Sequence, residues 1–116
     1  MPDEAVCRLV DQVRPARYLF TNNGPILTEC LHRELDPVRR LFRRTVCSWE
    51  LQARKPSAWA FRRLAATIGH NCDDITFVDD DPANCAAAEA TGMRPVQFRH
   101  VTQLHDRLEE FHLLGL

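Results

Sequence analysis

One stretch beyond the middle of the chain constrains the fold more than any other. Residues 75–78 (Ile-Thr-Phe-Val) form the clearest predicted strand, and three aspartates, Asp79, Asp80 and Asp81, follow it directly. Adjacent ionised carboxylates repel each other, so we expect a cation to bind where this strand ends. In open α/β sheets, ligands bind beyond the carboxyl ends of parallel strands. The stretch therefore predicts a parallel sheet with a ligand-binding edge.

Predicted strands and helices alternate along the chain. The predicted strands cover 18–20, 46–49, 75–78 and 95–98. The first predicted helix begins at Pro2 and ends before Pro15. Further helices are predicted over 26–35, 36–44, 58–68 and 83–90, and a last one begins at Thr102. Ser57 is the predicted N-cap of the fourth helix, and Gly69 its predicted end. This alternation is typical of an α/β fold with helices on both faces of a mostly parallel sheet.

Three groups of polar residues mark the ends of these elements. Thr21 and Asn22 directly follow the first predicted strand. Lys55 stands at the start of a helix, and Asp79 and Asp80 follow the third strand. A hydroxyl with free backbone N–H groups, an ammonium and a carboxylate pair suffice to hold a phosphoryl group and Mg²⁺. We therefore expect one site for a small phosphorylated ligand at this rim.

Each of these signals also has a purely structural interpretation. Thr-Asn-Asn-Gly is a good turn without any function, and Lys55 alone is an ordinary surface lysine. Asp81 followed by Pro82 fits the N-cap of the next helix, and we assign Asp81 to that role. Asp79 and Asp80 are assigned to the metal, because the apolar strand places them at the ligand-binding edge.

Composition limits the class of protein. A chain of 116 residues is one domain by size, here residues 1–116. The net charge of −1 gives no support for binding nucleic acid or an anionic membrane, and no apolar stretch is long enough to span a bilayer. The five cysteines are scattered without a Cys-x-x-Cys pair, which favours reduced thiols in the cytoplasm over disulfides or a zinc site.

The polar groups, taken in order, resemble sequence motifs of the haloacid dehalogenase-like (HAD) hydrolase superfamily. Residues 18–24 resemble motif II, an apolar strand that ends in Thr or Ser followed by Asn. Residues 54–61 resemble motif III, a Lys-Pro pair that opens a helix. Residues 77–93 resemble motif IV of the subgroup with paired acids, and this is the most specific match. The resemblance extends from Ala16 to Phe98.

This resemblance implies a fold, a chemistry and roles for individual residues. It implies a Rossmann-like three-layer fold and a Mg²⁺-dependent phosphomonoester hydrolase. Thr21, Asn22 and Lys55 would contact the phosphoryl group and stabilise its charge. Asp79 and Asp80 would hold Mg²⁺.

The family motif that supplies the nucleophile has no match in this sequence. Motif I, an apolar strand ending in Asp-x-Asp, would precede Thr21, and no such run lies there. The cap segment that selects the substrate is absent or reduced to the first helix. In the family the motif I strand lies in mid-sheet, between the strands of motifs II and IV. Either strands 18–20 and 75–78 pair directly with each other, or another segment occupies the position of the motif I strand. Unpaired edges there favour self-association or poor stability.

Several functional interpretations remain. The chain is the C-terminal, truncated part of a phosphatase-type enzyme, whose nucleophile comes from upstream residues or from a separate chain that complements it. Alternatively, it is a non-catalytic remnant that binds Mg²⁺, a phosphorylated ligand or a partner protein.

A further interpretation takes 75–81 itself as an Asp-x-Asp motif, with Asp79 as nucleophile and Asp81 as acid/base partner. The continuation from Asn84 fits motif IV better. A phosphoacceptor receiver domain is excluded, because the threonine, the lysine and the acidic pair run here in the opposite order.

Overall fold

The computed structural model describes residues 4–21 and 42–115, and this part of the chain alternates strands with helices as the sequence predicts. The helices are α1 (Glu4–Asp11), α2 (Ser48–Leu51), α3 (Ala58–Ile68), α4 (Pro82–Ala90) and α5 (Val101–Glu110), with a 3-10 turn at Cys72–Asp74. The strands are β1 (Tyr18–Thr21), β2 (Arg44–Cys47), β3 (Thr76–Asp79) and β4 (Arg94–Gln97).

Local signals set the ends of α3. The Ser57 side chain accepts a hydrogen bond from the Trp59 N–H at 3.2 Å and so caps the first turn. At the other end, Gly69 adopts a left-handed conformation with φ of 79°, and its N–H binds the last carbonyls of the helix. Both predicted boundaries of this helix are therefore confirmed.

The four strands form two separate parallel pairs. Phe20 of β1 lies opposite Val46 of β2, and Val78 of β3 lies opposite Val96 of β4. β1 does not pair with β3, and no strand formed by residues 4–21 or 42–115 lies between the two in space. The sheet is therefore interrupted where the family resemblance places its central strand. The alternative in which the two strands close directly on each other is wrong.

Helices cover this interrupted sheet on both faces. On one face, Phe77 of β3 packs with Phe61 and Ala65 of α3 and with Ala88 of α4. On the other face, Val96 of β4 packs against α1 and α5. The core residues of those helices are Leu9, Leu104 and Leu108. The result is a three-layer α/β arrangement, which confirms the predicted fold class.

One aromatic side chain of α3 joins the two strand pairs. The ring of Phe61, which is fully buried, meets the ring of Phe20 at 6.0 Å and that of Phe77 at 5.0 Å, both edge to face. α3 thus holds the two strand pairs together beneath the interruption.

Val78 faces the layer of α1 and α5 but is 40% exposed, so this layer does not cover β3 fully.

Two predicted element boundaries are wrong. Arg44, expected at the end of a helix, begins β2, because pairing with β1 buries Val46 and Cys47 completely. The predicted strand 46–49 stops at Cys47, and Ser48 begins α2. The predicted helix 26–35, and most of the helix 36–44, lie outside the described residues.

Two further sequence expectations can be compared with the described residues. Among the described residues, Cys7, Cys72 and Cys85 form no disulfide. None of the described helices combines the length and the apolar character that crossing a membrane requires.

Candidate functional site

The ion pair between Lys55 and Asp79 forms the centre of the candidate site. Lys55 Nζ lies 3.0 Å from Asp79 Oδ2, and both side chains are 11% exposed. Asp79 ends β3, while Lys55 lies between α2 and α3. Two predicted site residues that are 24 positions apart in sequence are thus brought together at one strand end.

Lys55 also reaches the other strand pair. Its ammonium donates to the carbonyl oxygen of Phe20 in β1 at 3.3 Å. It lies 5.1 Å from the ring centre of Phe20 and 5.8 Å from that of Phe77, within the range of cation–π attraction. The ammonium therefore bridges the carboxyl ends of β1 and β3 across the interruption in the sheet.

The Asp79 carboxylate accepts three hydrogen bonds. Oδ1 accepts from the Asp81 N–H at 2.9 Å, and Oδ2 accepts from Lys55 and from Asn84 Nδ2 at 3.2 Å. Burial alone would raise the pKa of Asp79, but the Asp81 N–H and the Lys55 ammonium lower it below its ordinary value. Asp79 is therefore ionised at neutral pH, and its orientation is fixed.

Asn84 is a site residue that the sequence argument did not assign. It lies in the first turn of α4, is 8% exposed, and donates its side-chain amide to Asp79. Burying an asparagine costs free energy unless its amide is hydrogen-bonded. The sequence signal for this role was that Asn84 lies on a helix that starts beside Asp79. Asn84 thus binds Oδ2 of the carboxylate, while the Asp81 N–H binds Oδ1.

Asp80 and Asp81 differ from Asp79 in environment. Asp81 Oδ1 accepts from the Ala83 N–H at 2.8 Å and caps α4, which confirms the predicted capping role. Asp80 is exposed beside this cap. The Asp81 carboxylate is therefore engaged by the helix end, although Asp81 is exposed, whereas Asp80 takes no part in this cap.

The remaining predicted site residues are described only in part. Thr21 is the last residue of β1, opposite Cys47, and follows the Phe20 carbonyl that binds Lys55. The backbone of Thr21 therefore lies at the same rim as Lys55 and Asp79. Asn22 lies outside the described residues.

The donor set at this rim fits Mg²⁺ in its chemistry. A carboxylate offers about four acceptor positions. Oδ2 of Asp79 uses two for Lys55 and Asn84, while Oδ1 uses one and keeps one. Asp80 adds a second, exposed carboxylate. Two carboxylates are a usual protein contribution to Mg²⁺ bound with phosphate. The described residues contain no cluster of three or more potential metal ligands.

Cys85 is a potential nucleophile in contact with Asp79, but its environment disfavours that role. Its Sγ lies 3.5 Å from the Asp79 carbonyl oxygen and 3.8 Å from that of Val96. Burial, and then the charge of Asp79, raise the pKa of the Cys85 thiol. The thiol is therefore protonated at neutral pH and donates to backbone carbonyls.

Comparison with solved structures identifies the fold. An uncharacterized protein from Corynebacterium glutamicum aligns with 100% of this chain and 89% of its own length, at 22% identity and a TM-score of 0.76. A predicted HAD-like family hydrolase from Porphyromonas gingivalis aligns with 92% of this chain at 22% identity and a TM-score of 0.74. No family model and no curated protein matches the sequence.

A third structure contains ligands. A HAD family enzyme from Bacteroides thetaiotaomicron, solved with magnesium and inorganic phosphate, aligns with 83% of this chain at 22% identity and a TM-score of 0.69. This chain spans 50% of that enzyme and 57% of the Porphyromonas protein. Below 25% identity such likeness establishes the fold and leaves function open. This chain has the Rossmann-type α/β fold of the haloacid dehalogenase-like hydrolases.

Proposed function

We propose that this chain is a phosphatase-type scaffold that binds a small phosphorylated ligand together with Mg²⁺. The observation that carries the proposal is the bridge that Lys55 forms between Phe20 O and Asp79 Oδ2. It places a cation and a fixed carboxylate at the carboxyl ends of two strands, where α/β folds bind ligands. The Bacteroides enzyme of the same fold, crystallised with magnesium and phosphate, supports this assignment.

Each residue has a distinct part in the proposed binding. The Lys55 ammonium neutralises charge on the phosphoryl oxygens while Asp79 fixes its position. Thr21 and Asn22 contribute a hydroxyl and backbone N–H groups. Asp79 Oδ1 and Asp80 hold Mg²⁺, which when bound neutralises phosphate charge and orients the phosphoryl group.

Hydrolysis requires a nucleophile, and we assign none among the described residues of the Lys55–Asp79 site. Asp79 is committed to three donors, and Cys85 is protonated. A carboxylate between β1 and β3 would stand beside Lys55, so we expect the attacking group to come from a segment that occupies this position. Without that segment the chain binds its ligand and does not turn it over.

A phosphomonoester hydrolysis assay tests this division between binding and chemistry. We expect no Mg²⁺-dependent hydrolysis of para-nitrophenyl phosphate by the 116-residue chain, although phosphate binds. Turnover that Asp79→Asn abolishes, and that Asp74→Asn at an exposed position preserves, would instead show that the chain supplies its own nucleophile, with Asp79 as the leading candidate. Absence of both turnover and phosphate binding in folded protein would contradict the proposal.

A non-catalytic role is the second candidate. The saturated Oδ2 of Asp79 favours it, because the ion pair with Lys55 is complete without a substrate. In that role the same rim binds Mg²⁺ with a phosphorylated ligand or a partner protein, and no nucleophile is needed. Peptides that carry an apolar strand ending in Asp-x-Asp distinguish the two roles, because only the first predicts that such a peptide restores hydrolysis.

A further inference from the structure

The outward face of α3 carries an exposed aromatic residue flanked by arginines. Trp59 is 62% exposed, and the guanidinium carbons of Arg62 and Arg63 lie 6.0 and 5.6 Å from its ring centre. Arg63 Nη1 donates to the carbonyl oxygens of Leu51 at 2.6 Å and of Gln52 at 3.3 Å. Tryptophan and arginine dominate the energetics of protein interfaces. We name Trp59, Arg62 and Arg63 the α3 ridge.

The sequence around the ridge is positively charged. No acidic residue lies between Glu50 and Asp73, although the whole chain has a net charge of −1. Arg62 and Arg63 are exposed, as is Arg54 just before the helix. Complementary charge steers association, so the ridge favours an acidic surface as its partner.

This chain itself has an acidic surface, on α5. Asp106, Glu109 and Glu110 lie on one face of the helix, and their side chains are 73%, 70% and 62% exposed. Residues three and four apart on a helix are neighbours, so these carboxylates form a strip about one turn long, in which Glu110 also pairs with Arg107 at 3.4 Å.

A cleft adjoins the acidic strip. It lies between α1 and α5, and its volume of about 370 Å³ is within the range of small-ligand pockets. Its lining residues are Ala5, Arg8, Leu9, Gln12, Val101, Thr102 and His105. The His105 ring lies 3.2 Å from Asp106 and 3.6 Å from Glu109, so the cleft and the strip share a border.

We propose that Trp59 of one copy inserts into the α1–α5 cleft of a second copy, with Arg62 and Arg63 facing Asp106 and Glu109. The cleft lining combines apolar Ala5, Leu9 and Val101 with polar residues, so an aromatic ring that enters it beside the acidic strip supplies the buried anchor and the polar rim of a specific interface. The ridge and the cleft are different surfaces, so the contact is head-to-tail, and in a pair of copies each retains one unused half to which a further copy can add. This assembly requires neither the open edges of β1 and β3 nor the site at Lys55.

Sedimentation velocity of the whole chain over a concentration series tests the proposal. We expect the wild type to exceed the monomer mass at low salt and to dissociate at high salt. Trp59→Ala, Arg62→Glu and Glu109→Arg each raise the dissociation constant by roughly tenfold or more. Arg99→Glu, an exposed change outside both surfaces, is the charge-matched control and leaves association unchanged.

A charge exchange makes the test specific to this pairing. Combining Arg62→Glu and Glu109→Arg in one chain re-creates an opposite-charge pair between copies, so we expect this double variant to associate where each single variant does not. Adding Trp59→Ala to the double variant removes that recovery. Unchanged thermal unfolding of each variant shows that the fold is intact. A wild type that stays monomeric, or an oligomer that Trp59→Ala and Arg62→Glu leave unchanged, would overturn the proposal.

Discussion

Lys55 Nζ and Asp79 Oδ2 lie 3.0 Å apart, and this contact joins the two strand pairs of the protein at their carboxyl ends. The same ammonium contacts the Phe20 carbonyl on the opposite strand pair. The pair therefore has two roles, which can be measured separately. It stabilises the interrupted sheet, and it forms the cationic and anionic halves of the proposed ligand site.

Removal of Lys55 should destabilise the fold. Lys55→Met leaves the Asp79 carboxylate, 11% exposed, without its cation, and we expect the free energy of unfolding to fall by about 2 to 3 kcal/mol. Urea unfolding measures this loss. The control Arg54→Met, at an exposed position next to Lys55, should cost less than about 0.5 kcal/mol. In the double variant with Asp79→Asn, the loss should be smaller than the sum of the single losses; simple additivity would show that the pair contributes nothing.

Stability should depend on pH through Asp79. Its pKa in the folded protein lies below the ordinary value of 3.8, so the unfolded chain takes up the proton first as pH falls. The stabilisation from Asp79 is therefore complete above 3.8 and is lost as pH falls through the folded pKa. Urea midpoints at neutral pH and below pH 3.8 should differ less in Asp79→Asn than in the wild type. An equal pH dependence in both proteins would refute this assignment.

Asn84 should act as a donor to Asp79. Asn84→Asp places a second carboxyl group 3.2 Å from Asp79 Oδ2, and we expect a loss on the order of 2 kcal/mol at neutral pH. Relative to the wild type, this variant should recover stability as pH falls, because protonation restores a hydrogen-bond donor and removes the like charge. Thermal unfolding across pH measures the recovery. A loss that is the same at every pH would mean that Asn84 serves packing alone.

Phe61 should connect the two strand pairs. Its fully buried ring contacts Phe20 on one pair and Phe77 on the other, so Phe61→Ala should cost about 3 to 5 kcal/mol. Trp59→Ala, two residues earlier on the exposed face of the same helix, is the matched control and should cost less than about 0.5 kcal/mol in the monomer. Similar losses in chemical denaturation would show that Phe61 is not the connecting residue.

Local sequence signals predicted much of the fold. Ser57, Gly69 and Asp81 act over one helical turn, and their capping roles needed only the residues next to them. The strand that ends at Asp79 was likewise visible, because its apolar run and acidic end lie together in the sequence. The rim shared by Lys55 and Asp79 followed from the rule that parallel strands present their carboxyl ends on one side.

Long-range relationships could not be predicted in the same way. No local pattern indicates that β1 and β3 stay apart, since strand pairing depends on residues that are distant in sequence. The start of β2 at Arg44 was missed because only its pairing with β1 makes that segment extended. Asn84 was missed as a site residue because its role depends on the carboxylate to which it donates.

Isothermal titration calorimetry of inorganic phosphate, with and without Mg²⁺, measures whether the rim at Lys55 and Asp79 binds a phosphorylated ligand. We expect Mg²⁺-dependent binding by the wild type and by Arg54→Met, and loss of binding in Lys55→Met and Asp80→Asn. Asp80 is exposed, so the second change removes a proposed ligand without disturbing the core. Failure of folded wild type to bind phosphate, or binding that Lys55→Met leaves intact, would contradict the account.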